Sequence, residues 1–211
     1  REVQVPVYGT AFTLGIARNK LEEHDIARNT LVLFTADNGT HTAITSQLPG
    51  MKLKGGKGSM IESGTRVPFI AWWPGRVEPA VKEEMLCLVD VLPTICSIAG
   101  IGLKREVDGM DLSHHLLGGD GEDREFVFMA YKGGQYFVRE PRFRLSIGGK
   151  KNPEAKLYDI PVSSNKERYS ESVSTNPEHQ GDRRRLRKIL DQYMAIPDEY
   201  AEAREAASGK N

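Results

Sequence analysis

The amino-acid sequence predicts an α/β fold, followed by a small unit of antiparallel strands and one helix. Two observations predict the α/β part. A helix-like pattern at residues 9–24 leads into an apolar run at 31–35, and a second apolar run occupies 67–73. A helix joined by a short connector to a strand that is apolar on both faces is typical of a sheet covered by helices. The third observation is a change of pattern near residue 120, after which short strand-like runs predominate.

The first predicted helix, residues 9–24, carries Leu14, Ala17 and Leu21 on one stripe. This spacing is typical of an amphipathic helix. The apolar run that follows, residues 31–35, is predicted to be a central strand of a parallel sheet, buried on both faces.

Residues 40–66 are rich in glycine, lysine, serine and threonine and lack periodicity. This composition predicts a long loop, and long loops within compact domains often carry function. The run at 67–73 is predicted to be a second buried strand, ended by a Pro-Gly turn. A short helix is expected at 94–99, between Pro93 and Gly100.

The polar, turn-rich segment 118–123 predicts a division of the chain into two domains, 1–120 and 121–211. In the second domain we expect a small antiparallel sheet followed by a helix at about 183–196. The sheet is predicted to have four strands, at residues 125–131, 135–139, 143–147 and 156–160. The tail from residue 198 to 211 is helix-prone and weakly apolar.

The overall composition excludes some classes of partner. The chain has 29 basic and 29 acidic residues, so its net charge gives no reason to expect nucleic acid or a membrane surface. No apolar stretch approaches the roughly 20 residues of a membrane span. Cys87 and Cys96 lie in apolar surroundings without zinc-type spacing, and we expect buried, inert thiols. The chain begins with Arg1 rather than Met, which we interpret as a cut, so its start carries no information on localisation.

Asp37 and Asn38 follow the predicted strand at 31–35 directly. The carboxyl ends of strands are where open α/β sheets place their ligand crevices. A carboxylate beside an amide offers the oxygen ligands that hard cations such as Ca²⁺ or Mg²⁺ prefer. The alternative is an ordinary β-turn, because Asp-Asn-Gly is also good turn chemistry.

Lys57 lies among glycines, in Gly55-Gly56-Lys57-Gly58-Ser59. Glycines let backbone amides approach an anion closely, and the ammonium adds a point charge. The spacing excludes a nucleotide-binding P-loop, which would need glycine at Met51. A sulfate or phosphate contact and a solvated basic loop both remain open at this point.

Among the histidines, His41 differs because it lies three residues after Asn38, on the loop expected to overhang the crevice. We therefore consider it a candidate substrate contact. The others are expected to have structural or surface roles: His24, His114, His115 and His179.

These residues resemble the C-terminal part of the sulfatase (arylsulfatase-type) family, within the alkaline-phosphatase-like superfamily. The matching segments occur in the family's order and cover most of residues 9–160. One of them departs from the family pattern, since the usual Glu-Gly-Gly is Glu62-Ser63-Gly64 here. The segments are 29–39, 56–68, 73–75, 89–94, 99–101, 108–109, 116–118, 138–139 and 157–159.

The resemblance implies an alkaline-phosphatase-like α/β sandwich whose C-terminal part is residues 1–120, with a small subdomain after it. It implies that Asp37 and Asn38 ligate a divalent cation, usually Ca²⁺, and that Lys57 contacts the sulfate group. The family's nucleophile is a formylglycine made from a Cys/Ser-x-Pro-x-Arg motif, which these 211 residues lack. We therefore expect the nucleophile, and two further aspartate ligands, in a missing N-terminal half.

We accordingly predict a fragment of a sulfatase that is inactive by itself. The parent enzyme would hydrolyse a sulfated small molecule or carbohydrate, and the family implies an exported protein, in the periplasm, outside the cell or in the lysosome. The oligomeric state is not predicted. Two alternatives remain: a phosphodiester or phosphonate hydrolase of the same superfamily, and a truncated, non-catalytic binding module.

Overall fold

The computed structural model describes residues 5–48, 51–150, 152–160 and 173–196. The described residues divide into two compact units, one up to Glu125 and one from Phe126 onward. The predicted helix-prone tail at 198–211 lies outside them. Within the described part of the chain, no helix has the length and apolar character that crossing a membrane requires.

The described residues of the first unit form four α-helices and two pairs of strands. The strands of one pair follow one another in the chain, whereas the strands of the other pair are far apart in sequence. In chain order the elements are α1 (Val5–Glu23), β1 (Val32–Thr35), β2 (Thr45–Leu48), β3 (Met51–Lys54), α2 (Glu62–Thr65), β4 (Phe69–Trp72), α3 (Val91–Ile98) and α4 (Ser113–Leu117).

Strand β1 pairs with β4 in antiparallel register, from Val32 opposite Trp72 to Thr35 opposite Phe69. The prediction of a parallel strand was therefore wrong for this pair. The side chains of β1 are half-buried rather than buried, and Ile70 of β4 is 50% exposed. A short apolar run predicts a strand without encoding the direction of its partner or what covers its faces.

The predicted long loop between β1 and β4 is more ordered than its composition indicates. Strands β2 and β3 form an antiparallel hairpin, and α2 follows as a single helical turn. Apolar and polar residues alternate in β3, Met51-Lys52-Leu53-Lys54, but over four positions only, and β2 shows no such alternation. The prediction of a loop over the whole segment missed this short signal.

The predicted short helix at 94–99 begins earlier, since α3 runs from Val91 to Ile98 with Pro93 inside its first turn, where proline is tolerated. Gly100 has φ +68° just past its end, as expected for a helix-terminating glycine. Both cysteines are free, but they are half-buried, so the prediction of buried thiols was only partly right.

The second unit is a four-stranded antiparallel sheet in the order β5-β6-β7-β8, followed by a 15-residue helix, α5. The predicted strands and helix are all confirmed, with ends shifted by a few residues. The strands are β5 (Val127–Tyr131), β6 (Gln135–Arg139), β7 (Phe143–Gly148) and β8 (Ala155–Asp159), and α5 is Gln180–Met194.

The core of this unit lies between the sheet and α5. Leu186 and Leu190 of the helix are completely buried, as are Val138, Leu145 and Leu157 of the strands. Outside the core, α5 is fixed by an ion pair that joins it to the end of β6. The Nε and Nη2 atoms of Arg185 donate to the two oxygens of the Glu140 carboxylate, at 2.9 and 2.6 Å.

Candidate functional site

Asp37 and Asn38 lie just past the end of β1, where the chain leaves the strand. The Asp37 side chain is exposed and that of Asn38 is half-buried. The carboxylate is therefore open to a ligand, while the amide is only partly accessible. The adjacency that the sequence predicted, two oxygen-bearing side chains at a strand end, is present.

Gly39 brings this strand end against α2. Its backbone N–H donates to the Gly64 carbonyl at 3.0 Å. A Cβ atom at Gly39 would lie 1.8 Å from the Ser63 carbonyl oxygen, far inside van der Waals contact. Glycine is therefore needed at this position because two backbone segments pass too closely for any side chain.

The loop that carries Lys57 lies against the same strand end. The Lys57 backbone N–H donates to the Thr40 carbonyl at 2.9 Å. A Cβ at Gly55 would lie 2.1 Å from the His41 carbonyl oxygen, and one at Gly56 would lie 2.8 Å from the Gly64 nitrogen. The backbone of this loop thus packs directly on the segments that carry His41 and Gly64.

We name the four close-packed glycines the glycine cluster: Gly39, Gly55, Gly56 and Gly64. They join three segments of the chain, the strand end at 37–41, the lysine loop at 55–59 and α2. None of the four packs through a side chain of its own, so the arrangement depends on backbone hydrogen bonds and on the absence of Cβ atoms.

The glycine cluster brings Asp37 and Asn38 into the neighbourhood of Lys57. Two residues of chain and one hydrogen bond separate Asn38 from Lys57, which limits their α-carbon separation to about 14 Å. The Asp37 and Lys57 side chains are both exposed. The backbone therefore places a residue with a carboxylate, one with an amide and one with an ammonium in the same region of the first unit.

His41 belongs to the same strand end, and its side chain is exposed. Its Nδ1 lies 3.2 Å from the Ala43 backbone N–H, which donates to it, and its carbonyl accepts from Ile44 at 2.9 Å. The first contact holds the imidazole through Nδ1 against the backbone of the loop, and the second is made by the main chain alone.

Ser63 is the residue at which the sequence departs from the Glu-Gly-Gly pattern. Its hydroxyl is buried and has no hydrogen-bond partner among the described residues. It lies 2.5 Å from the place that a Cβ at Gly56 would occupy. Leaving such a hydroxyl unpaired costs on the order of 1–3 kcal/mol, so this serine strains the glycine cluster that surrounds it.

The donor chemistry of Asp37 and Asn38 fits a hard divalent cation. A carboxylate and an amide carbonyl are both oxygen ligands of the kind that Ca²⁺ and Mg²⁺ take. Ca²⁺ binds about six to eight oxygens, so these two residues would supply a minority of them. The remainder would have to come from water, from substrate or from residues beyond this chain.

Asp90 shows a role that sequence patterns did not reveal. Its carboxylate is fully buried and accepts hydrogen bonds from the backbone N–H groups of Cys87, at 2.8 Å, and Met110, at 2.9 Å. The Arg124 guanidinium contacts both of its oxygens. Asp90 therefore fixes the start of α3 to the segments around Met110 and Arg124, a structural role.

Comparison with known proteins shows a similarity to one family. A family model described as Sulfatase matches residues 13–101, a range that contains Asp37, Asn38, Lys57 and the whole glycine cluster. The human enzyme arylsulfatase A is 38% identical over 118 residues, which cover 54% of this chain and 23% of that enzyme. The chain therefore spans about a quarter of the length of this curated relative.

Two solved structures have a similar fold. One comes from work on the metabolism of glycosaminoglycans by Bacteroides thetaiotaomicron, with a TM-score of 0.71 and 22% identity, over 88% of this chain and 43% of the other. The second is a phosphonate monoester hydrolase from Silicibacter pomeroyi, with a TM-score of 0.65 and 24% identity, over 88% of this chain and 39% of the other. At these identities the likeness concerns the fold alone.

Proposed function

We propose, from the match of residues 13–101 to the sulfatase family model, that the complete protein hydrolyses sulfate esters. The observation that carries the proposal is the glycine cluster, which holds the strand end of Asp37 and Asn38 against the loop of Lys57 through the Gly39–Gly64 and Lys57–Thr40 hydrogen bonds. This proximity supports a cation site at Asp37 and Asn38 beside an anion contact at Lys57.

In this proposal Asp37 and Asn38 hold a Ca²⁺ ion, with Mg²⁺ as the alternative. A cation held by these two residues would supply positive charge to stabilise the negative charge that develops on the ester. Lys57 neutralises the sulfate group from the neighbouring loop, where its ammonium is a compact point charge on a flexible stem. Placing positive charge where negative charge develops is often the largest single contribution to catalysis.

The nucleophile lies outside this chain in the proposed mechanism. A formylglycine, with the remaining cation ligands, would come from the part of the enzyme that these 211 residues do not contain. The chain alone would then be inactive and would bind its cation weakly. We also propose that the complete enzyme is exported, as the family resemblance implies.

In the proposed function His41 is a secondary substrate contact. Its imidazole is exposed and oriented by the Ala43 contact at the edge of the strand end. It would contact the part of the substrate beyond the sulfate group, which we take to be a sulfated carbohydrate or other small molecule. The work on glycosaminoglycan metabolism that yielded one similar structure is the support for a carbohydrate.

A second candidate is hydrolysis of a phosphonate or phosphate ester. The structural likeness to a phosphonate monoester hydrolase supports this candidate. An Asp-Asn pair near a lysine could bind a cation and contact either a sulfate or a phosphonate group. The family match over residues 13–101 favours sulfate.

The test is to express the protein from its whole reading frame and measure hydrolysis of an aryl sulfate and of a matched aryl phosphonate monoester. The proposal expects a higher kcat/KM for the sulfate, and loss of activity when the cation is chelated and its return with Ca²⁺. A higher kcat/KM for the phosphonate would support the second candidate. Activity toward neither ester would favour the non-catalytic binding module.

A further inference from the structure

A group of potential metal ligands lies outside the glycine cluster, at the end of the first unit. His114 and His115 lie in α4, and Asp123 follows nine residues after His114. One ligand atom from each of the three lies within 4.8 Å of those of the other two. Within the described part of the chain, this is the one group of three or more such side chains that meets this condition.

The distances are compatible with a small cation as well as with hydrogen bonds, since His114 Nε2 lies within hydrogen-bond reach of Asp123 Oδ1. The Nε2 atoms of His114 and His115 lie 3.3 and 3.1 Å from the same oxygen, Oδ1 of Asp123. Ligands about 2.0–2.1 Å from a tetrahedral Zn²⁺ lie about 3.3–3.4 Å from one another. The two distances are therefore close to the edges of a zinc coordination tetrahedron.

The orientation of His115 adds an independent observation. Its Nε2 is buried and satisfies no hydrogen bond among the described residues, although Asp123 lies 3.1 Å away. Neither a lone pair nor a proton of this nitrogen therefore points directly at the Asp123 oxygen. Buried polar atoms in native proteins nearly always have a partner, and a cation between the three side chains would provide one.

The scaffold holds the three side chains in place. The two histidine side chains are only 13% and 15% exposed, and their rings lie 4.0 Å apart. A Cβ at Gly121 would lie 2.2 Å from Nδ1 of His114, so this loop packs directly on that ring. Asp123 is exposed, but its neighbour Arg124 is anchored by the buried Asp90 carboxylate.

We propose that His114, His115 and Asp123 form a binding site for a Zn²⁺-type transition-metal ion. Two imidazoles and a carboxylate are borderline nitrogen and oxygen ligands, which suit zinc and its neighbours better than Ca²⁺. Water would complete the four ligands. The site joins α4 to the loop before Arg124 and is independent of the proposed cation site at Asp37 and Asn38.

The test titrates the full chain with Zn²⁺ alone by isothermal titration calorimetry, and with Co²⁺, whose visible spectrum distinguishes tetrahedral coordination. We expect one ion per chain, unaffected by excess Ca²⁺. Asp123→Asn should weaken binding by at least ~10-fold, since it removes one of three protein ligands. His115→Ala should weaken it at least as much.

Matched controls separate this site from general surface binding. Asp120→Asn removes a nearby carboxylate outside the group, and His24→Ala removes an exposed histidine elsewhere; both should leave the affinity unchanged. Asp123 is exposed, so Asp123→Asn should fold normally, which circular dichroism would verify. Equal binding by wild type and Asp123→Asn, or no binding by wild type at micromolar Zn²⁺, would overturn the proposal.

Discussion

The two units of the chain bury their apolar side chains very differently. Of the twelve buried hydrophobic residues among those described, ten belong to the second unit and only Ala27 and Leu112 to the first. The exposed large hydrophobic residues show the reverse, since all but Met194 and Ile196 lie in the first unit. The second unit therefore has its own core, whereas the first presents apolar groups to the outside.

This difference indicates that different interactions stabilise the two units. The small sheet and α5 are held by hydrophobic burial, the dominant favourable contribution to folding. The first unit is held by backbone hydrogen bonds, close glycine contacts and the buried Asp90–Arg124 pair. Among its described residues, large apolar side chains such as Val81 and Ile101 are exposed rather than packed in a core.

The largest effect that tests the comparison is expected from a leucine in the core of the second unit. Leu157→Ala removes a fully buried side chain between the sheet and α5, and should lower the free energy of unfolding by about 2–5 kcal/mol. The matched control is Leu92→Ala on α3, where the leucine is 53% exposed and the cost should be within about 0.5 kcal/mol. Urea unfolding followed by circular dichroism measures both, and equal losses would contradict the comparison.

The next effect concerns catalysis by the complete enzyme. Lys57→Ala should lower kcat for a sulfate ester by about 10²–10³, the scale of losing one preorganised electrostatic contact. Lys52→Ala is the control, since Lys52 is an equally exposed lysine of β3, and it should leave kcat unchanged. An unchanged kcat for Lys57→Ala would remove Lys57 from the proposed site.

A smaller loss is expected where the first unit depends on glycine. Gly39→Ala places a Cβ 1.8 Å from the Ser63 carbonyl, so the strand end must move away from α2. Overpacking of this kind costs about 1–3 kcal/mol. Gly102→Ala is the control because no atom lies within 4 Å of its Cβ position.

Both glycine variants can be followed by the fluorescence of the two tryptophans, Trp72 and Trp73, which lie in the first unit. A melting temperature that falls for Gly39→Ala and stays near wild type for Gly102→Ala is the expected result. Similar melting temperatures for the two variants would show that the glycine cluster is not required for stability.

The smallest effect concerns the acid sensitivity of the second unit. The Arg142 guanidinium donates two hydrogen bonds to the Asp159 carboxylate, at 2.9 and 2.8 Å, and lowers the pKa of Asp159 below its ordinary value. A carboxyl whose pKa is lowered by folding stabilises the protein above its unfolded pKa, and this contribution is lost as the pH falls through the folded value.

Asp159→Asn should therefore lower stability slightly at neutral pH and show a shallower loss than wild type below about pH 4. Melting temperatures measured between pH 2 and 7 test this. Asp191→Asn is a control, since its partner Arg187 belongs to the same helix. Parallel curves for wild type and Asp159→Asn would show that the Arg142 pair does not contribute.

The sequence predicted the second unit more completely than the first. Alternating apolar residues in β7 and β8, and Leu186, Ile189 and Leu190 at helical spacing, reflect burial within the same segment of chain. The antiparallel pairing of β1, the β2–β3 hairpin and the half-buried cysteines were not predicted. The partner of β1 lies far along the chain, which local patterns do not record, whereas the β2–β3 hairpin joins neighbouring segments that carry little apolar signal.

The candidate site was predicted in part. Sequence motifs identified Asp37, Asn38, Lys57 and His41, but their proposed roles remain predictions. The group formed by His114, His115 and Asp123 was missed, because the sequence favoured structural or surface roles for the two histidines. No standard metal-binding spacing links two adjacent histidines to an aspartate eight residues later, so folding of the loop before Arg124 was needed to reveal it.

The sequence by itself determined which residues are available: oxygen ligands after an apolar strand, a lysine among glycines, and the apolar periodicity of the small sheet and α5. Only the tertiary structure decided which of them meet. The glycine cluster unites segments up to 25 positions apart in the chain, Gly39 and Gly64, through backbone atoms that every residue carries. Because such contacts involve no distinctive side chain, their partners become visible only when the chain is folded.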